Sequence, residues 1–152
     1  MLFLLFRLGK DRYAIEAKQV VEVLPLLAAK QIPHAPPEVR GVFDFRGQPV
    51  PLIDFTQLAM GHPVREHLST RVVLVRHPDG RGGARLLGLI AEHVTETLRR
   101  EPAEFRESGV ELPDARWLGP VASHEGGLVQ WLQVEQLLTP ELRELLFPAE
   151  AA

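Results

Sequence analysis

Residues 38–55, EVRGVFDFRGQPVPLIDF, decide the fold. Two apolar runs, Val39 to Phe45 and Val50 to Phe55, flank a tight Arg46-Gly47-Gln48-Pro49 corner. A strand sends successive side chains to opposite faces, and a tight corner needs a residue that tolerates positive φ, which Gly47 supplies. Gly41 interrupts the first run, where a strand glycine marks a bulge or the close approach of another backbone segment. Periodicity alone therefore predicts a β-hairpin in an all-β module. Asp54 closes the second run and is read as a carboxylate that binds local backbone amides, because no companion acid stands near it in sequence.

Working outward from the hairpin, Leu2 to Leu8 and Arg12 to Ile15 read as strands joined by a Gly9-Lys10-Asp11 turn. Ala17, Val20, Val21 and Leu24 fall at i, i+3, i+4 and i+7, which predicts a helix ended by Pro25. Lys30 to Pro33 is expected to be extended, and Thr56 to Met60 to close with a helical turn. Downstream, Arg71–Arg76 and Arg85–Val94 are strands around turn residues 77–83, with Thr95 to Arg99 continuing or pairing again. Residues 101–116 are polar and irregular, and a last hairpin, 121–123 with 128–133, turns at Glu125-Gly126-Gly127. Val134, Leu137 and Leu138 keep helical spacing. Thr139-Pro140 then gives an N-cap with proline at the first helical position, ahead of a buried stripe of Leu142, Leu145 and Leu146 stopped by Pro148. Many short strands between turns argue for a barrel or sandwich.

Composition narrows the function. At 152 residues, with 45% apolar and 24% charged residues, the chain is an ordinary globular domain. Its net charge of −3 and scattered arginines offer no basic face to nucleic acid. The absence of cysteine excludes disulfides, thiolate nucleophiles and cysteine-ligated zinc, and fits a reducing compartment. The apolar start Leu2-Phe3-Leu4-Leu5-Phe6 lacks the basic leader and cleavage site of a signal peptide, and no run reaches the ~20 apolar residues of a membrane span. The expectation is a cytoplasmic protein without direct membrane insertion.

No constellation of reactive residues stands out. None of the serines, 69, 108 and 123, sits in a G-x-S-x-G elbow. The six histidines are dispersed, and His62 and His67 lack the i, i+4 spacing of a helical ligand pair. Gly80-Arg81-Gly82-Gly83 precedes a strand, whereas a phosphate loop leads into a helix. The reading is a non-enzyme with no cofactor and no metal. Function then lies in surfaces, and two stand out. Arg46 projects a planar guanidinium from the corner, suited to a partner's carboxylates or carbonyls, unless it is spent on solvent or on Asp44. In the 17–24 segment, Val20 and Val21 fit the buried stripe, whereas Glu22 and Val23 lie off it and are candidates for contact.

The order of residues in the hairpin resembles the signature of the CheW-like domain family, V-x-G-V-x-N-L-R-G-x-V-V-P-V-I-D-L. The matching positions are Val39, Gly41, Val42, Arg46, Gly47, Val50, Pro51, Ile53 and Asp54. The resemblance implies a mainly β fold of two small five-stranded SH3-like β-barrels with short helices, including a C-terminal one. Residues 1–148 would form a single domain of two intertwined barrel subdomains, with 149–152 as a tail. It further implies a free-standing adaptor that couples methyl-accepting chemoreceptors to a CheA-type histidine kinase, recruited from the cytoplasm to membrane-associated receptor arrays. The partners implied are the cytoplasmic tip of the chemoreceptor and the kinase's regulatory domain, with no nucleic acid. The receptor-binding residues implied are Arg46, Gly47, Val20, Glu22, Val23 and Asp44. The chain departs from the pattern at Asp44 and Phe45, where the family has Asn-Leu, and this points to a dedicated receptor and kinase in an alternative, non-flagellar pathway. A small β-barrel module binding nucleic acid or a ligand is the competing reading; few aromatics, 7%, weigh against it.

Overall fold

The computed structural model describes residues 1–148, the side chain of Thr95 apart; the expected tail at 149–152 lies outside the described residues. Its elements run β1 (Leu2–Leu8), β2 (Asp11–Glu16), β3 (Val20–Pro25), β4 (Val39–Phe45), β5 (Gln48–Asp54), α1 (Phe55–Met60), β6 (Arg71–Pro78), β7 (Ala84–Arg99), β8 (Leu118–His124), β9 (Gly127–Leu132) and α2 (Pro140–Leu146), with short 3₁₀ turns between some of them.

The strands pair into two five-stranded groups that share β7. Its first half lies between β6 (antiparallel) and β5 (parallel), giving the order β3-β6-β7-β5-β4. Its second half pairs with β1, giving β7-β1-β2-β9-β8. Each group curls until its ends nearly meet. Lys30, just past β3, bridges to Val42 on β4; Arg106, just past β7, bridges to Val121 on β8. Strand β7 changes barrels at an irregularity, because Arg7 faces Glu92 whereas Leu5 faces Glu96. His93 falls in that jump with φ 51°, and a bulge of this kind bends a strand and sharpens its twist.

Three hydrophobic clusters follow from this topology. Phe3, Leu5, Ala14, Leu98, Phe105, Ala122 and Val129 fill one barrel, and Phe43, Val50, Leu52, Val72, Leu74 and Ile90 fill the other. The third and largest draws on both, with Phe6, Tyr13 and Ile15 from the first barrel and Ile53, Val73, Val75 and Leu87 from the second. Alternation along the strands distributes the residues: on β1, Phe3 and Leu5 enter one barrel, while Leu4, Phe6 and Leu8 face the shared cluster. Helix α2 lids this cluster through Leu142 and Leu146, followed by Phe147.

The hairpin forms at the expected place with a tighter turn. Phe45 pairs with Gln48, leaving only Arg46 and Gly47 in the loop, both at positive φ, 51° and 86°. A two-residue loop with positive φ at both positions matches the right-handed twist of its strands. Pro49 and Pro51 sit in the part of β5 paired only to β4; pairing with β7 begins at Leu52, so no ladder hydrogen bond is forfeited. A Cβ at position 47 would meet nothing within 4 Å, so its cost is conformational alone. Gly47→Val is expected to lower stability by about 1–2 kcal/mol, read as a shift in the urea midpoint with native spectra retained.

Two expectations fail. Residues 17–24 do not form a helix: only Ala17–Gln19 make a 3₁₀ turn, and Val20–Pro25 is strand β3. The register slips between Val20 and Glu22. Val20 therefore packs on the shared cluster while Val21 and Leu24 pack in the second barrel, and the slip imitates a helical spacing. At the C-terminus, Thr139 caps α2 by accepting from the Leu142 amide at 3.1 Å, but Leu145 is exposed and the buried stripe is Leu142, Leu146 and Phe147. Val134–Gln136 is a 3₁₀ turn.

Candidate functional site

The β4–β5 corner carries Arg46 outward, with three-quarters of its side chain exposed. Its guanidinium does not pair with Asp44, as one sequence reading allowed. It reaches Glu22, 24 residues earlier on β3, donating to Oε1 at 3.4 Å, and its Cζ lies 4.8 Å from the centre of the Phe45 ring. Asp44 is exposed and, among the described residues, makes no ion pair. Strand β3 is the free edge of its sheet, hydrogen-bonded only to β6. Between β3 and β4 the barrel has a seam, closed in the backbone by the Lys30–Val42 bridge and spanned in side chains by Glu22–Arg46.

The structure therefore brings Arg46, Gly47 and Glu22 together at one end of this seam. Val23 follows Glu22 and is exposed. Val20 does not join them; two residues before Glu22, it packs on the shared cluster. An exposed ion pair of this kind adds at most about 1 kcal/mol to stability. Its main effect is to hold a five-donor group extended along a ring face next to an unpaired strand edge. Edges offer backbone donors and acceptors to an incoming chain.

Behind the seam Asp54 organises the neighbouring surface. It is 1% exposed. One carboxylate oxygen accepts from the Gln57 amide at 3.1 Å, capping α1, and the other accepts from the Val64 amide at 3.0 Å and pairs with Arg40 at 3.2 Å. Arg40 in turn reaches Glu66 at 3.1 Å. The sequence reading of Asp54 as a backbone-binding carboxylate holds, and its partners tie the 61–70 segment to the hairpin.

The fold also gathers residues that sequence left apart. His62, His67 and His93 line one cavity of about 400 Å³ together with Arg65 and Glu92, and the rings of His67 and His93 stack 6.3 Å apart. Among the described residues, no group of three His, Cys, Asp or Glu side chains is placed to hold a metal ion. The Gly80–Gly83 segment is the β6–β7 turn, and its Arg81 is spent on Glu144 and the Phe147 carbonyl. Every aromatic ring is buried or half-buried, which leaves no open platform for stacking bases. No helix of the described residues is long and apolar enough to cross a membrane.

Two small barrels that share a strand, with their exposed chemistry concentrated on a turn and a free edge, define a compact double-barrel β module. The description of the CheW-like domain matches residues 2–141, and the chain belongs to this family. It is similar to the chemotaxis protein CheW of Helicobacter pylori, 28% identical over 138 residues that cover 90% of this chain and 80% of the relative. It is also similar to the chemotaxis protein CheW of Rhizobium meliloti, 26% identical over 144 residues, covering 91% of this chain and 88% of that one. The crystal structure of the scaffolding protein TtCheW from Thermoanaerobacter tengcongensis superposes with a TM-score of 0.79 at 19% identity, covering 91% of this chain and 87% of that one, and shares the fold.

Proposed function

We propose that this chain is a non-enzymatic adaptor of a chemosensory system, linking methyl-accepting chemoreceptors to a CheA-type histidine kinase. Relatives over nine-tenths of the chain carry the name chemotaxis protein CheW, and a protein of the same fold is named a scaffold. The receptor face is the seam between β3 and the β4–β5 corner. The observation that carries this reading is Arg46, held outward at a strained turn by Glu22 beside the exposed Val23. An amphipathic helix of the receptor tip would lay its apolar stripe along Val23 and present a carboxylate or a free carbonyl to Arg46. Gly47 lets the receptor backbone approach, and Asp44 adds a charge that selects among receptors. The kinase's regulatory domain docks elsewhere on the barrels, and the adaptor reaches the membrane only through its receptors.

Arg46→Glu puts a second carboxylate beside Glu22 without touching the core. Its folding stability is expected to change by less than about 1 kcal/mol, while capture of a receptor cytoplasmic fragment falls below detection. If that variant still couples receptor to kinase at the wild-type level, the corner is not the contact. A dedicated pathway, suggested by Asp44 and Phe45, is checked by offering cytoplasmic fragments of different chemoreceptors in parallel; equal capture of all of them removes it.

A further inference from the structure

Among the described residues, His77 is the fully buried ring whose chemistry neither the core nor the receptor face explains. It sits on β6, on the face of Val73 and Val75 that meets the shared cluster, and is fully buried. Its Nδ1 lies 2.7 Å from the Pro78 carbonyl, and because a carbonyl only accepts, the ring proton belongs on Nδ1. Nε2 is left deprotonated, enclosed and without a hydrogen-bond partner. The ring centre is 6.0 Å from that of Phe147, the residue that ends α2.

The end of α2 is held to this spot by a clasp. Arg81 of the β6–β7 turn donates to the Phe147 carbonyl at 3.1 Å and pairs with Glu144 at 3.3 Å. Arg85, cross-strand from His77, places its Cζ 5.3 Å from the centre of the Phe147 ring. Arg143 packs its guanidinium against the backbone of Gly80. The charges around His77 are thus Asp79, Arg81 and Arg85 from the turn and β7, Arg143 and Glu144 from α2, and Glu135 from the turn before it. Asp79 is bound to the Arg81 and Gly83 amides, and Glu144 to Arg81. A proton arriving at Nε2 would create a buried cation with no hydrogen-bond acceptor, amid three arginines and three carboxylates of which Asp79 and Glu144 are already bound.

We propose that His77 is a proton-operated latch on the C-terminal helix: neutral, it lets α2 and Phe147 seat over the shared cluster, and protonated, it releases them. Burial pushes its imidazole below the ordinary range, and Arg143 adds to the effect, outweighing the Pro78 hydrogen bond and Glu135, which act the other way. The sign follows from linkage. The released state binds the proton more readily than the seated state, so seating is complete above the ~6.5 of a free imidazole and is lost as pH falls below it. Release bares the cluster through which the two barrels contact each other, so the latch sets how rigidly they are joined.

Amide hydrogen exchange of the whole chain at pH 7.5, 6.5 and 5.5, corrected for intrinsic rates, tests this. Opening of residues 140–147 is expected to rise by up to about tenfold per pH unit below ~6.5, with 72–75 and 87–89 protected throughout. His77→Phe keeps a ring in the site and is expected to flatten that dependence; His124→Gln, which removes the other buried imidazole nitrogen without a hydrogen-bond partner, is expected to leave it unchanged. In the wild-type chain, the His77 ring signals should titrate together with the loss of α2 amide signals, which needs no variant to fold. A ring that titrates while α2 stays protected, or an identical pH dependence in His77→Phe, overturns the proposal.

Discussion

Gly41→Ala is expected to lower the unfolding free energy by about 3–4 kcal/mol, near the upper end of single-substitution effects. A Cβ built at position 41 would lie 2.2 Å from the Lys30 carbonyl oxygen and 2.8 Å from its carbon. Those are backbone atoms, so no side-chain rotation relieves the clash. Relief means pulling the Lys30 segment off β4, which costs the paired bonds Lys30 N–H to Val42 carbonyl, 2.8 Å, and Val42 N–H to Lys30 carbonyl, 2.9 Å. The φ of 139° adds conformational strain for any residue with a Cβ. Gly47, also at positive φ but with open space around it, is the internal control. Urea unfolding followed by the fluorescence of Trp117 and Trp131, which lie in different clusters, should show Gly41→Ala far more costly than Gly47→Ala. Equal costs would mean that the Lys30 bridge contributes nothing to closing the barrel.

Asp54→Ala should approach it, at about 2–4 kcal/mol. It removes a helix cap, about 1 kcal/mol, and strands the Val64 amide, a further ~1–3 kcal/mol for a buried donor. It also frees Arg40, whose side chain is one-third exposed and can turn to Glu66 or water, so that loss is small. Asp54→Asn retains an oxygen for one of the two amides and should fall about midway between Ala and wild type. Arg40→Ala should cost less than either. If Arg40→Ala proves the most damaging of the three, the ion pair rather than the amide bonds holds the 61–70 segment.

The hairpin was legible in the sequence because its information is local. Alternation, Gly41 and Gly47 each specify a backbone conformation within a few residues, and the Thr139-Pro140 cap is likewise self-contained. Segment 17–24 misled because two periods compete there. Val20, Val21 and Val23 are β-branched and favour a strand, but the register slip after Val20 breaks the alternation that would have announced one. A helix was the better match to spacing alone; pairing with β6, distant in sequence, reverses it. The candidate site was half visible. Arg46 announces itself at a turn, yet its partner Glu22 is found only once β3 and β4 flank the same seam. The histidine cavity and the position of His77 beneath α2 are products of tertiary packing with no local signature.

Strand β7 has a consequence for mechanics. Its 16 residues run from one barrel into the other, so this crossing contains no linker to absorb displacement. A pull on one barrel enters through the ladders of β5 and β6 with the first half of β7, runs along the unbroken backbone of β7, and passes to β1 through its ladder with the second half. An object gripped at both ends and built on such a spar passes on a tilt or twist with little slack. Cutting the chain near His93 and supplying the two pieces together should restore the shape more readily than it restores the transmitted signal.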